Sequence, residues 1–237
     1  MILRSKKANK STDGLIGKDL SFSASEAYKR LRTNLMFTMT DEGKCRVLGV
    51  TSAVHGEGKS TTAVNLAYTL AEADKKVLII DGDLRLPAIS EKLQINQAPG
   101  LSNTLAGALD AKTEAVIEIE NNLSVLTSGD VPPNPTELLG SAHMKALIEA
   151  FSETYDFILI DLPPVNVVAD ATVVSSVLDG MIVVVRNGYS TSRALNACVK
   201  QLELADVKIF GFVLNDSDSY DEYYRGYNSR SYCKYGK

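Results

Sequence analysis

The sequence predicts an α/β fold, a doubly wound and mainly parallel sheet with helices on both faces. Three observations carry that prediction. Short runs rich in Val, Ile and Leu punctuate the chain, several are apolar at almost every position, and segments of helical period separate them. Strict alternation would mark a sheet wetted on one face, whereas a continuous apolar run marks a strand covered on both. Parallel neighbours also need crossover connections long enough for a helix.

Taken in order, residues 1–23 are polar, open with the basic stretch "MILRSKKANK", and are expected to form a flexible arm. Such an arm is either plain solvated chain or an attractor of an anionic membrane or partner. "SASEAYKRLRTNLMF" (23–37) reads as a helix, placed at 24–39. Ser23 or Ser25 would cap it, and Leu31, Leu35 and Met36 line its apolar stripe. The expected strands are "RVLGVTS" (46–52), "KVLIID" (76–81), "LSVLTS" (123–128), "FILID" (157–161), "MIVVV" (181–185) and "IFGFVLN" (209–215). Crossover helices fall at 60–73, 142–155 and 191–205, giving one domain over 24–216. From 217 to 237 neither period appears, and we expect a flexible tail. Six of the ten tyrosines stand in it: Tyr220, Tyr223, Tyr224, Tyr227, Tyr232 and Tyr235.

Composition excludes several classes. A net charge of -4 gives no overall electrostatic case for nucleic acid. Cys45, Cys198 and Cys233 are scattered and form no Cys-x-x-Cys pair, which suits free thiols in a reducing compartment. Two histidines, His55 and His143, do not make a histidine metal centre. No apolar run approaches the ~20 residues that span a bilayer. A cytoplasmic location follows as an expectation, with any membrane attachment supplied by a partner.

The chemistry concentrates in "TSAVHGEGKST", which follows the first strand and opens a helix. Read back from Lys59 it is a Walker A loop, A-x-x-x-x-G-K-S, with Ala53 in the leading position. Gly56 and Gly58 let the backbone, Glu57 included, turn N–H groups towards phosphate oxygens. Lys59 adds a full charge, Ser60 is the expected Mg²⁺ ligand, and Thr61 is expected to cap the helix. Carboxylates to hold the metal end two other strands: Asp81 and Asp83 in "VLIIDGDLR", and Asp161 in "FILIDLPP". One Asp after a strand is as often a turn or cap residue. Three beside a Gly-Lys-Ser loop specify an ATP and Mg²⁺ site on a P-loop NTPase sheet, and the paired and strand-end aspartates resemble those of the MinD/ParA-like type.

With those residues in place, "LIIDGDLR" resembles the Walker A′ motif of the bacterial tyrosine kinases. "EAYKRLRTNL", "LTSGDVPPNPTELLGS", "DFILIDLPPVNVVADA" and the tyrosine-rich end extend the likeness over nearly the whole chain. It is similar to the Gram-positive type, a separate chain activated by a transmembrane adaptor in capsular or extracellular polysaccharide synthesis and export. The resemblance implies that Asp81 takes the proton of an incoming tyrosine and that Asp83 and Asp161 position Mg²⁺. It further implies trans autophosphorylation of the tail tyrosines and a cognate tyrosine phosphatase. A ring-shaped homo-oligomer would form through Glu26, Lys29 and Arg32.

Some readings stay double. Arg85 is either a charge stabiliser or half of a structural pair. Asn215 and Arg186, at strand ends, either read the adenine base or satisfy turns. Glu26, Lys29 and Arg32 are either an assembly face or a solvated helix face with an ordinary ion pair. His55 stands where the family commonly has Pro, and Lys29 where it has Arg. The rival function is a MinD/ParA-like ATPase switch without kinase activity. Its additional early P-loop Lys would fall at Val54 and is missing.

Overall fold

The structure, a computed structural model, describes residues 16–39, 44–108 and 114–216. The tail tyrosines, Cys233 and the arm before Ile16 lie outside those residues.

Seven strands form one sheet in the order β3-β4-β2-β5-β1-β6-β7. They are β1 (Arg46–Ser52), β2 (Val77–Asp81), β3 (Val116–Glu120), β4 (Leu123–Leu126), β5 (Phe157–Asp161), β6 (Gly180–Arg186) and β7 (Ile209–Asn215). All neighbouring pairs are parallel except β3 with β4. The parallel strands therefore end along one edge, where an open α/β sheet binds ligands. Among the described residues there are eight α-helices, α1 preceding the first strand and the rest lying between strands: α1 (Phe22–Thr38), α2 (Lys59–Ala71), α3 (Ile89–Leu93), α4 (Leu101–Leu105), α5 (Pro135–Leu139), α6 (Ala142–Ser152), α7 (Asp170–Val173) and α8 (Ser192–Leu204).

The apolar runs are continuous because the sheet has two cores. Along β2, Leu78 and Ile80 join one cluster with Met144, Ile148 and Phe151 of α6 and with Cys198 and Leu202 of α8. Val77 and Ile79 join the other, with Val64, Leu66 and Leu70 of α2 and Leu35 of α1. Each fully buried side chain of this kind contributes about 1.5–3 kcal/mol of transfer free energy. Helix α2 lies between the sheet and α1, so 11 of its 13 residues are buried.

The departures from expectation sit at the margins. Residues 16–23, assigned to the arm from the sequence, are bonded to the domain or begin its first helix. Gly17 donates its N–H to Asn65 Oδ1 of α2 at 2.9 Å, and Lys18 pairs with Glu120 at 2.7 Å. Helix α1 begins at Phe22, and its cap is Ser21, whose hydroxyl accepts from Ala24 N–H, in place of Ser23 or Ser25. Strand β3 was not foreseen. "VIEIE" alternates and is only half-buried, as suits a short antiparallel edge.

Candidate active site

Adjacency in the sheet assembles the site. Strands β2, β5 and β1 are consecutive, and the β2–β5 register sets Asp81 directly beside Asp161. On its other side Asp161 pairs with Val50 of β1, three residues before the phosphate loop begins at Ala53. Two carboxylates and a phosphate loop thus share one edge.

Glycine is required at two places in the loop. Gly56 (φ 79°) and Gly58 (φ 93°) are left-handed, and a Cβ on Gly58 would lie 2.2 Å from Asn215 Nδ2. Gly58 is also the N-cap of α2 and supplies no side-chain cap, so the first-turn N–H groups are available to an anion. The helix starts at Lys59, which places Thr61 inside the first turn and not at the capping position expected for it. The Glu57 side chain points into the fold and is fully buried. Its Oε2 accepts from Val54 N–H at 2.8 Å, and its Oε1 accepts from Arg186 N–H at 3.3 Å and from the Ser190 hydroxyl. Glu57 therefore shapes the loop, and only its backbone faces the phosphate side. Asn215 Nδ2 donates to the Glu57 carbonyl at 2.9 Å.

Lys59 extends from this loop into the carboxylates. Its ammonium donates to Asp83 Oδ2 at 2.9 Å, and Asp161 Oδ1 and Ser60 Oγ are each 3.4 Å away. All of these side chains and Asp81 are buried. Burial tends to lower the pKa of Lys59, but Asp161 and Asp83 outweigh it and the net shift is upward. Burial, and then the adjacent Asp161, push the Asp81 carboxyl up to about 7. Asp161 is raised as well, again chiefly by burial. Asp81 Oδ2 accepts from the N–H groups of Ala88 (3.1 Å) and Ile89 (3.0 Å), while its buried Oδ1 has no hydrogen-bond partner. Asp83 Oδ1 accepts from Leu86 N–H at 3.0 Å.

The donor set can be tested against Mg²⁺. Ser60 Oγ, Asp83 and Asp161 offer hard oxygen ligands around one buried point, where three carboxylates with Asp81 face a single ammonium. Among the described residues no cluster of three or more His, Cys, Asp or Glu side chains forms a metal cage. Mg²⁺ is ordinarily held by one or two carboxylates together with substrate phosphates, so the residues fit it.

The outlying candidates separate. Arg186 and Asn215 are register partners across β6 and β7 and stand together beside the phosphate loop. Arg186 donates to Asp216 Oδ2 at 2.9 Å, its Nη1 is 3.5 Å from the Gly56 carbonyl, and its guanidinium covers the Tyr189 ring at 5.4 Å. Arg85 is half of a structural pair with buried Asp170, at 2.7 Å. Glu26 and Lys29 form an intrahelical ion pair at 2.9 Å, and Arg32 is engaged within the chain, donating to the Thr69 carbonyl of α2. Sequence reading missed Asp170, Thr136 and Ser190, and it missed the inward turn of Glu57. Thr136 and Asp170 stand inside quoted motifs, but nothing local couples them to Arg85.

The parallel sheet, the Gly-Lys-Ser loop and the strand-end aspartates define a P-loop nucleoside-triphosphate-binding protein. An AAA-domain family profile matches residues 45–209. The chain is 38% identical over 191 residues to tyrosine-protein kinase YwqD of Bacillus subtilis strain 168, covering 81% of this chain and 80% of that protein. It is 36% identical to tyrosine-protein kinase CpsD of Streptococcus agalactiae, covering 80% and 82%. The solved kinase domain of Escherichia coli tyrosine kinase ETK superposes with a TM-score of 0.80 at 34% identity, covering 90% of this chain and 84% of that one. MinD of Pyrococcus horikoshii, complexed with Mg-ADP, superposes less well, with a TM-score of 0.62 at 27% identity over 73% of this chain and 72% of that one. The chain belongs to the bacterial tyrosine-protein kinase family.

Proposed function

We propose that this chain transfers the γ-phosphoryl group of ATP to protein tyrosines, its own C-terminal tyrosines first, in trans between copies. The observation that carries the reading is the convergence of Lys59, Asp81, Asp83 and Asp161 at one buried point beside the loop. The loop N–H groups and Lys59 bind and orient the phosphates. Ser60, Asp83 and Asp161 would hold Mg²⁺, which when bound neutralises phosphate charge during transfer. Asp81 is the base. One of its oxygens is fixed by two N–H groups and the other is unpartnered, and a carboxyl near 7 suits proton acceptance at neutral pH. Tyrosine has a pKa near ~10, so the proton moves as the reaction proceeds and not before it. The phenolic oxygen bonds to Pγ, the bond from Pγ to the β-bridging oxygen breaks, the phenolic proton passes to Asp81 Oδ1, and ADP departs. Arg186 and Asn215, paired at the ends of β6 and β7, would border the adenine.

The biological setting belongs to the same proposal. The chain would act in capsular or extracellular polysaccharide synthesis, on the cytoplasmic side of the membrane, with a transmembrane activator and an opposing tyrosine phosphatase. Among the described residues no helix is long and apolar enough to cross a membrane. Unphosphorylated copies would assemble through α1, with Glu26 and Lys29 on the assembly face and Arg32 bonded to the Thr69 carbonyl of α2 beneath it.

The test incubates the full chain with Mg²⁺–ATP and the cytoplasmic segment of a membrane activator, then probes for phosphotyrosine. Label on the tail is the expected result. ATP hydrolysis without any phosphotyrosine would overturn the kinase reading in favour of a MinD-like switch.

A further inference from the structure

The ligand edge of the sheet is held by two separate sets of side-chain bonds. On the nucleotide side, Glu57 and Asn215 fasten the loop after β1 to the ends of β6 and β7. On the opposite side the bonds meet at Asp170, the first residue of α7, which is fully buried. Arg85 grips it as a fork, with Nε donating to Oδ2 at 2.7 Å and Nη2 to Oδ1 at 3.2 Å. Thr136 Oγ1 donates to Asp170 Oδ1 at 2.5 Å and is itself 3.1 Å from Arg85 Nη2. A buried carboxylate is costly unless charge and hydrogen bonds compensate it, and here a guanidinium and a hydroxyl do so.

The three residues belong to the segments that follow β2, β4 and β5, which are adjacent in the sheet. Arg85 sits within the β2–α3 segment, which leaves β2 at Asp81 and carries Asp83. Asp83 Oδ1 closes the turn around Arg85 by accepting from Leu86 N–H. The far end of the segment, Ala88 and Ile89, supplies the N–H groups that hold Asp81 Oδ2. Displacing Arg85 would therefore move the base and Asp83 together. None of the three clamp residues is bonded to the nucleotide loop. Among the described residues the two sides are joined through Lys59 and its carboxylates and by the bonds of Thr51 Oγ1 to the Pro163 carbonyl and of Val165 N–H to the Ser52 carbonyl, none of which involves a clamp side chain.

We propose that Asp170 and Thr136 are positioning residues which, through Arg85, hold the acceptor half of the site independently of the nucleotide half. This rests on the kinase reading above. A misplacement of about 1 Å at a catalytic group costs on the order of 100-fold in rate, so the clamp should appear in turnover and not in nucleotide affinity.

The experiment compares full-length Thr136→Val, Thr136→Ser, Asp170→Asn and Arg85→Lys with wild type. Three quantities are read: affinity for a fluorescent ADP with EDTA in place of Mg²⁺, amide exchange at Ala88 and Ile89, and phosphotyrosine formation at saturating Mg²⁺ and ATP. We expect ADP affinity within about twofold of wild type, since the loop N–H groups and Lys59 are untouched. Exchange at both amides should quicken at least about tenfold, as expected for losing a hydrogen bond to a charged group. Turnover should fall roughly 10- to 100-fold with KM for ATP unchanged. Thr136→Ser, which keeps the hydroxyl, should behave as wild type. Unchanged exchange and turnover in Thr136→Val would overturn the proposal. So would a parallel fall in ADP affinity, which would mean general loosening. If wild type forms no phosphotyrosine, the kinase reading fails while exchange and affinity still decide the clamp. If Asp170→Asn does not fold, the two Thr136 variants decide it.

Discussion

The ammonium of Lys59 stands 2.9 Å from Oδ2 of Asp83, with both side chains almost wholly removed from solvent. The cation meant for phosphate is thus held among carboxylates meant for metal. On the proposed reading, phosphate would take up the ammonium as Mg²⁺ takes up the carboxylates.

Replacing Lys59 tests that coupling. Lys59→Met should form no phosphotyrosine, yet its tail should be labelled by an active molecule that lacks tail tyrosines. Failure of the second result would mean that transfer is not intermolecular. Removing the ammonium also leaves the buried Asp83 and Asp161 uncompensated, a loss of roughly 3–5 kcal/mol. Urea unfolding of both proteins with EDTA present measures it.

The loop's own geometry yields a second prediction. Gly58→Ala puts a methyl 2.2 Å from Asn215 Nδ2 at a φ of 93°. ADP binding should be lost in that variant. Asn215→Ala removes only the bond to the Glu57 carbonyl, so ADP affinity should fall about fivefold, near 1 kcal/mol. Isothermal titration distinguishes the two. Equal affinities for Asn215→Ala and wild type would reject this role of Asn215.

Thiol reactivity follows from burial. Cys45 and Cys198 are both buried, and burial, followed by the charge of Glu57, pushes the Cys198 thiol from 9.0 up to about 11. Neither should react with iodoacetamide at pH 8 unless the protein is unfolded, which peptide mass spectrometry would show. The sign of the stability effect is also set. Below pH 9 the thiol is neutral in both states. Between about 9 and about 11 only the unfolded thiol ionises, so its contribution to stability is lost across that window. Cys198→Ala should flatten the alkaline decline.

Assembly gives a fourth prediction. The Glu26–Lys29 pair is only half-buried and intrahelical, so deleting it should cost no more than about 0.5 kcal/mol of stability. Glu26→Ala with Lys29→Ala should therefore fold as wild type while eluting as a smaller species on size-exclusion chromatography. Tail phosphorylation should act the same way, each phosphate adding about -1.5 to -2 charges. Identical elution of phosphorylated and unphosphorylated protein would leave the tyrosines as substrates only.

Much was legible in the sequence because it is encoded locally. The parallel sheet follows from unbroken apolar runs such as "FILID", and the nucleotide loop from two glycines, a lysine and a serine between strand and helix. Asp81, Asp83 and Asp161 could be named as strand-end carboxylates without knowing which strands are neighbours. Even so, β3 escaped notice, since five alternating residues with two glutamates look like loop until an edge accepts them.

Only the tertiary structure decided how those pieces meet. The pairing of Asp81 with Asp161 depends on β2 and β5 being adjacent, which no local pattern states. Glu57 looked like a loop residue facing nucleotide, but the end of β6 and Ser190 draw its carboxylate inward. Arg32 looked available to a neighbouring molecule, but the Thr69 carbonyl on α2 engages it. Arg85 had two equal roles until Asp170, 85 residues away, proved to be its partner. By itself the sequence determined which chemistry is present, because periodicity and motif spacing act over a few residues. Strand order and crossovers determined which groups touch, because those contacts join segments that are brought together only when the whole sheet closes.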